Sequence, residues 1–239
     1  MSKTHTRHYR DIGTVEFVPS RGARRLNITI RHSHSIRVAV PRGVSVRAAY
    51  KFVDDHLEWV QKALRRVRQV EKSQQPRFDN SFQTRNHQLV LQGHDKPHFS
   101  YHISDETIIV CYPATVNAED DDVQQITQKA VIETYRIEAK QYLPNRVALL
   151  ADCFGFRFDR VFIKNLKSRW GSCSVRNNIN LNLQLMRFDD GVIDYIILHE
   201  LLHTRIKNHS REFWTALEKI CPGVRDARRV LKSAKPFIL

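Results

Sequence analysis

Residues 192–206, Val-Ile-Asp-Tyr-Ile-Ile-Leu-His-Glu-Leu-Leu-His-Thr-Arg-Ile, constrain this chain most, because an apolar stretch there carries two histidines and a glutamate. Ile193, Ile196, Ile197, Leu198, Leu201 and Leu202 call for a mostly buried helix. Polar groups carried into such a helix are costly unless they are paired or bind a metal. In His199-Glu200-Leu201-Leu202-His203 the histidines stand four apart, so both imidazoles leave one helix face a turn apart and can share an ion. Glu200 sits one residue on, near enough to take a proton from metal-bound water without being a ligand. Chance placement of the 12 histidines and the glutamates gives about 0.02 such matches in a chain this long. The plainer alternative, two satisfied core histidines beside a surface glutamate, is the weaker one in this helical setting.

A catalytic zinc site takes three protein ligands and keeps a further position open. His209 lies six residues after His203, an interval that leaves the helical face, so the helix must end and the chain turn back within Lys207-Asn208-His209-Ser210. Asn208 suits the left-handed backbone of a helix end, and Ser210 can cap the next helix. Glu212, on that next helix, is the competing donor, and His209 is favoured.

The chain has 239 residues, 41% of them hydrophobic and 27% charged, enough to build the core of a single large domain or of two compact halves. It has no apolar run of about 18–20 residues and no apolar stretch in its opening residues, so a membrane span and a signal peptide are not expected. Cys111, Cys153, Cys173 and Cys221 form no CxxC pair and read as small core residues in a reducing, cytoplasmic compartment. The net charge of +14 is concentrated: residues 1–80 hold 17 basic and 7 acidic residues. Nucleic acid is one anionic partner such a region could take, against the default that charge keeps a protein soluble.

The reading along the chain is α+β. Residues 26–30 and 36–40 alternate as a hairpin about 31–35, and Ser45 caps one amphipathic helix through Tyr50, Val53, Leu57, Val60, Leu64 and Val67. Ser73-Gln74-Gln75-Pro76 reads as the linker. Short strands follow at 87–91, 98–103 and 107–111. A helix then starts in the acidic run 117–122, with Pro144 forcing a kink or restart. Residues 156–163 and 179–185 read as strands, and 193–206, 212–220 and 224–232 as helices. The expected divisions are a basic, β-rich region with one long helix at 1–75, a short-strand region at 76–116 and a catalytic domain at 117–239.

Four motifs together, Ser168-Arg169-Trp170-Gly171-Ser172-Cys173-Ser174, Ile179-Asn180-Leu181-Asn182, residues 193–203 and Asn208-His209-Ser210-Arg211-Glu212-Phe213-Trp214, resemble the YgjP-like metallopeptidase family. That family is related at its active site to the SprT-like and WLM groups. The strand-rich start, with its Val-Ala-Val-Pro-Arg-Gly step, looks similar too, so the likeness covers most of the chain. The resemblance implies a zincin-like catalytic domain with a small mixed sheet, one Zn2+ on His199, His203 and His209, and Glu200 as general base and acid. It implies hydrolysis of peptide bonds and an edge strand that holds extended substrate, for which 179–184 is the candidate. The ligand interval matches metzincins, but Ile206 stands at their glycine position and no methionine follows the site.

Asn180 and Asn182 share a strand face that is either a substrate lip or ordinary solvated surface, and Arg169 or its turn could face the cleft. Trp170 reads chiefly as a core plug, and Phe213, Trp214 and Leu217 as core. Arg225, Arg228, Arg229 and Lys232 read as a solvated face by default, with contact to an anion as the alternative, and His32, His34, His87, His94, His98 and His102 as exposed. Cys173 lacks a partner pattern for a nucleophile. Two alternative functions follow: a nucleic-acid-associated protease docked through residues 1–80, by analogy with SprT-like proteins, and a non-catalytic zinc-binding module.

Overall fold

The computed structural model describes residues 4–30, 35–74, 76–234 and 236. The chain forms two compact units, the first ending at Pro76 and the second beginning at Arg77.

The first unit holds strands β1 (His5–Tyr9), β2 (Gly13–Ser20), β3 (Asn27–Ile30) and β4 (Ile36–Pro41), in the order β1-β2-β4-β3. The expected hairpin is β3–β4, with Asn27 opposite Ala39 and Ile30 opposite Ile36. Residues 31–34 of its turn, His32 and His34 among them, lie outside the described residues. Strand β1, not foreseen, pairs antiparallel with β2. Alternation puts Val15 and Phe17 of β2 and Ile36 and Val38 of β4 on one buried face.

Ser45 caps the expected helix, accepting the Ala48 N–H at 3.1 Å. That helix is divided, however, into α1 (Val46–Asp54) and α2 (Leu57–Gln74). At the break the His56 ring bonds the Phe52 carbonyl at 2.8 Å, while the His56 carbonyl accepts from Val60 and starts α2. A side chain that competes for helix carbonyls thus separates two helices with one continuous apolar stripe, Ala49, Val53, Val60 and Leu64. The linker is also shorter than expected, since α2 continues through Ser73 and Gln74 and stops before Pro76; Gln75 lies outside the described residues.

In the second unit β5 (Gln88–His94), β6 (Ser100–Ile103) and β7 (Thr107–Pro113) form a sheet ordered β5-β7-β6. Helix α3 (Asp121–Cys153) follows, with the acidic run at its start, where negative charge meets the positive end of the helix dipole. Pro144 neither restarts nor ends it. The helix runs through as one 33-residue element. Ala139, Leu143 and Val147 are fully buried on either side of the proline, and this packing holds the helix across one missing hydrogen bond.

A third sheet, ordered β8-β10-β9, comprises β8 (Val161–Lys164), β9 (Gly171–Cys173) and β10 (Ile179–Asn182). A 3-10 turn (Leu183–Arg187) leads to α4 (Asp190–Leu202), α5 (Arg211–Ile220) and α6 (Val224–Ser233). Ile193, Ile197 and Leu201 of α4 share one core with Leu143 and Val147 of α3 and with Leu89, Ile108 and Val110 of the short-strand region. Arg146 of α3 grips Asp194 of α4 with two bonds of 2.6 Å, anchoring the helix that carries the paired histidines. His87, expected at the surface, is buried instead. Its Nδ1 lies 2.8 Å from the buried Glu138 carboxylate, which also accepts from Thr84 and Asn86. All four cysteines are free, and no helix among the described residues is long and apolar enough to cross a membrane.

Candidate active site

Helix α4 ends at Leu202 because the chain turns at once. Its last carbonyls are taken by Thr204, Arg205 and Ile206. Asn208 contributes to this reversal through its side chain, accepting the Ser210 N–H at 3.2 Å. It is not in the left-handed region expected of it; Asn177 is the one described non-glycine residue there. Ser210 then caps α5 through the Phe213 N–H. The reversal carries His209 back over the face that bears His199 and His203.

Three imidazole nitrogens converge. His209 Nε2 lies 3.0 Å from His199 Nε2 and 3.2 Å from His203 Nε2. The Ile206 carbonyl, 2.9 Å from His203 Nδ1, can only accept, so the proton sits on Nδ1 and the Nε2 lone pair faces the cluster. Ligands at tetrahedral corners about 2.0–2.1 Å from a zinc ion stand about 3.3 Å from one another, close to this spacing. Among the described residues this is the one group of three donor atoms close enough to hold a metal, and the exposed Glu212 is outside it.

The electrostatics favour neutral rings at His199 and His203. Burial, with His203 and His209 alongside, lowers the His199 pKa to about 3, and burial likewise lowers that of His203. Phe213 backs the whole cluster. It stacks on His203 with centroids 4.6 Å apart and meets His199 and His209 edge-on at 4.9 and 5.0 Å. Trp214 stacks on His209. Phe213 and Leu217 are core residues as expected, but Phe213 and Trp214 also form the wall that orients the rings.

Glu200 follows His199 on α4 and is only 5% exposed. Burial raises its pKa to about 7, opposed by a hydrogen bond from the Cys173 N–H and by the charge of Arg169. Glu200 and His199 line a cleft of about 290 Å³ with Trp170, Gly171 and Tyr195. Trp170, expected chiefly as a plug, both packs edge-on against Phe188 at 4.9 Å and faces this cleft.

The strand beside the cleft differs from the one expected. β10 is the central strand of its sheet, bonded on both sides, so 179–184 is not an edge. The edge next to α4 is β9. Asn182 is fully buried: its amide donates to the Leu166 and Arg169 carbonyls and its oxygen accepts from Gln184, so it ties a loop and offers nothing to a substrate. Asn180 is half-buried and donates to the Ser172 carbonyl across the β9–β10 ladder. Of the three substrate-binding candidates only Arg169 is exposed with its charge acting on Glu200. Burial raises the pKa of the Cys173 thiol, which keeps it protonated and unlike a nucleophile. Residues Arg228, Leu231 and Lys232 of α6 also line the cleft. Arg228 and Lys232 are exposed, as expected of a solvated face, and that face borders the cleft, which helical spacing alone does not reveal.

A family model for the YgjP-like metallopeptidase domain matches residues 24–234. The chain belongs to the YgjP-like metallopeptidase family. It is thereby a metallopeptidase, a hydrolase acting on peptide or protein substrates, and family membership implies a metal ion. Among solved structures this YgjP-like chain is similar to the metallopeptidase zymogen abylysin of Pyrococcus abyssi, at 24% identity and a TM-score of 0.35 over 40% of this chain and 98% of that one. It is also similar to the zymogen jannalysin of Methanocaldococcus jannaschii, at 26% identity and a TM-score of 0.33 over 38% and 96%. No curated protein matches.

Proposed function

We propose that this chain hydrolyses peptide bonds with one zinc ion held by His199, His203 and His209 and with Glu200 as general base and acid. The observation that carries the reading is the convergence of three Nε2 atoms, one of whose histidines, His199, lines a cleft together with Glu200. Neutral imidazoles and their spacing suit zinc, which when bound acidifies a water molecule toward a pKa of about 7 and polarises a carbonyl.

The chain's own groups do the rest. The Glu200 carboxylate is held at the cleft wall by the Cys173 N–H, and its affinity for a proton near neutral pH suits it to take one up and return it to a leaving amine. Strand β9, bonded to β10 on one side, leaves its other edge toward α4, where an extended peptide can pair with the backbone. Phe213 and Trp214 keep the imidazoles oriented and shield their far side from water. The open cleft favours catalysis over a purely structural zinc, whose sites are closed. The free cysteines accord with a cytoplasmic setting. A nucleic-acid contact rests on the charge of residues 1–80 alone and does not enter this reading.

Glu200→Gln tests it. The variant should keep its metal and lose turnover by about 10²–10⁴-fold; proteolysis equal to that of the unsubstituted protein would remove Glu200 from the mechanism.

A further inference from the structure

The cleft has a charged side that the hydrolytic reading leaves unused. Arg228 and Lys232 stand four apart on α6 and therefore on one face, and both line the cleft that holds His199 and Glu200. Between them Leu231, with Trp170, Tyr195 and Ile196 opposite, gives the same space an apolar lining. Neither cation makes an ion pair among the described residues, whereas the neighbouring Arg229 pairs with Asp226 at 3.3 Å. The Arg228 guanidinium lies 4.6 Å from the Trp214 ring centroid, and Trp214 is itself stacked on His209. That stacking fixes a planar fork of donors at the wall of the metal cluster.

Among the described residues Glu200 is the one carboxylate lining the cleft. Two unpaired cations beside a site for a divalent cation repel it, and an anion placed between them relieves that repulsion. In an unmodified peptide the anion available is a carboxylate, which a guanidinium fork binds through two hydrogen bonds.

We propose that Arg228 and Lys232 form an acid-reading subsite, so that this enzyme prefers peptides with a carboxylate close to the bond it cleaves. The inference rests on the peptidase reading above. The carboxylate can come from an aspartate or glutamate side chain or from the peptide's own C-terminus, and both meet the same two cations.

The test uses the full-length, zinc-loaded protein and peptides differing only at the residue beside the scissile bond, Glu, Gln or Lys, each with a free and an amidated C-terminus. A carboxylate should raise kcat/KM over the Gln peptide by about 10–100-fold, the worth of one or two charge-assisted bonds. The gap should close in the Arg228→Gln/Lys232→Gln double variant and favour the Lys peptide in Arg228→Glu. A gain that follows the Glu side chain assigns the subsite to an internal acid, and a gain that disappears on amidation assigns it to the C-terminus. Binding of the same peptides to zinc-loaded Glu200→Gln, read by calorimetry, should show the same order without turnover. Equal kcat/KM for all peptides, or a preference that survives the double variant, overturns the subsite while leaving the peptidase reading intact. Charge-dependent binding with no cleavage by the unsubstituted protein sinks the peptidase reading and keeps the subsite.

Discussion

A Cβ built on Gly171 would lie 2.7 Å from both Cγ and Oε1 of Glu200. Any side chain on β9 at this point would have to displace the carboxylate, which is the more confined for its bond to the Cys173 N–H. Gly171→Ala should therefore keep zinc at one ion per chain and lower kcat by about 10–100-fold, as expected when a reacting group is displaced by roughly 1 Å. Metal analysis beside steady-state kinetics checks this; unchanged kcat would show that Glu200 tolerates the shift or does not act.

Phe213 touches all three imidazoles and is fully buried. Phe213→Ala should cost about 3–5 kcal/mol of stability, the range for emptying an aromatic core site. It should also weaken zinc binding by about tenfold, since rings without a backing wall lose their orientation. Chemical denaturation and metal titration of the same sample measure the two effects.

Removal of the metal exposes two opposed proton linkages. His199, lowered to about 3 from an ordinary 6.5, takes a proton in the unfolded chain before it does in the native one, so stability falls as pH drops through that range. His203, lowered as well, acts in the same sense. Glu200, raised to about 7 from 4.5, holds a proton natively that the unfolded chain has released, so its contribution is full below 4.5 and is lost as pH rises toward 7. Between pH 4.5 and 6.5 these partly cancel. Glu200→Gln removes one side of the balance. In chelator, urea denaturation should show the variant losing stability toward acid more steeply than the unsubstituted protein, by up to about 1.4 kcal/mol per pH unit. Equal slopes would contradict the buried, proton-retaining Glu200.

The helix that carries His199 and His203 is legible in the sequence because an apolar segment leaves two histidines at a fixed spacing few alternatives, and a serine three residues before Phe213 announces the next helix. Asn182 shows what is not legible. Alternation puts it on a strand face correctly, but which strands flank β10 is set by long-range pairing, and that pairing buries the amide. Pro144 misleads for a related reason: tertiary packing of Leu143 and Val147 outweighs one lost hydrogen bond. The α6 cations are visible as a spacing, and only the packing of that helix beside Trp214 gives them a place in the cleft.

Metal content of the purified full chain tests the account most directly. With free zinc held at a fixed level, the unsubstituted protein and Glu200→Gln should each carry one ion. His209→Ala should retain less than about a tenth as much, since a site reduced to two imidazoles is no longer the three-ligand set of a catalytic zinc. Zinc retained equally by His209→Ala, or no zinc in the unsubstituted protein, would contradict the three-imidazole site on which the rest is built.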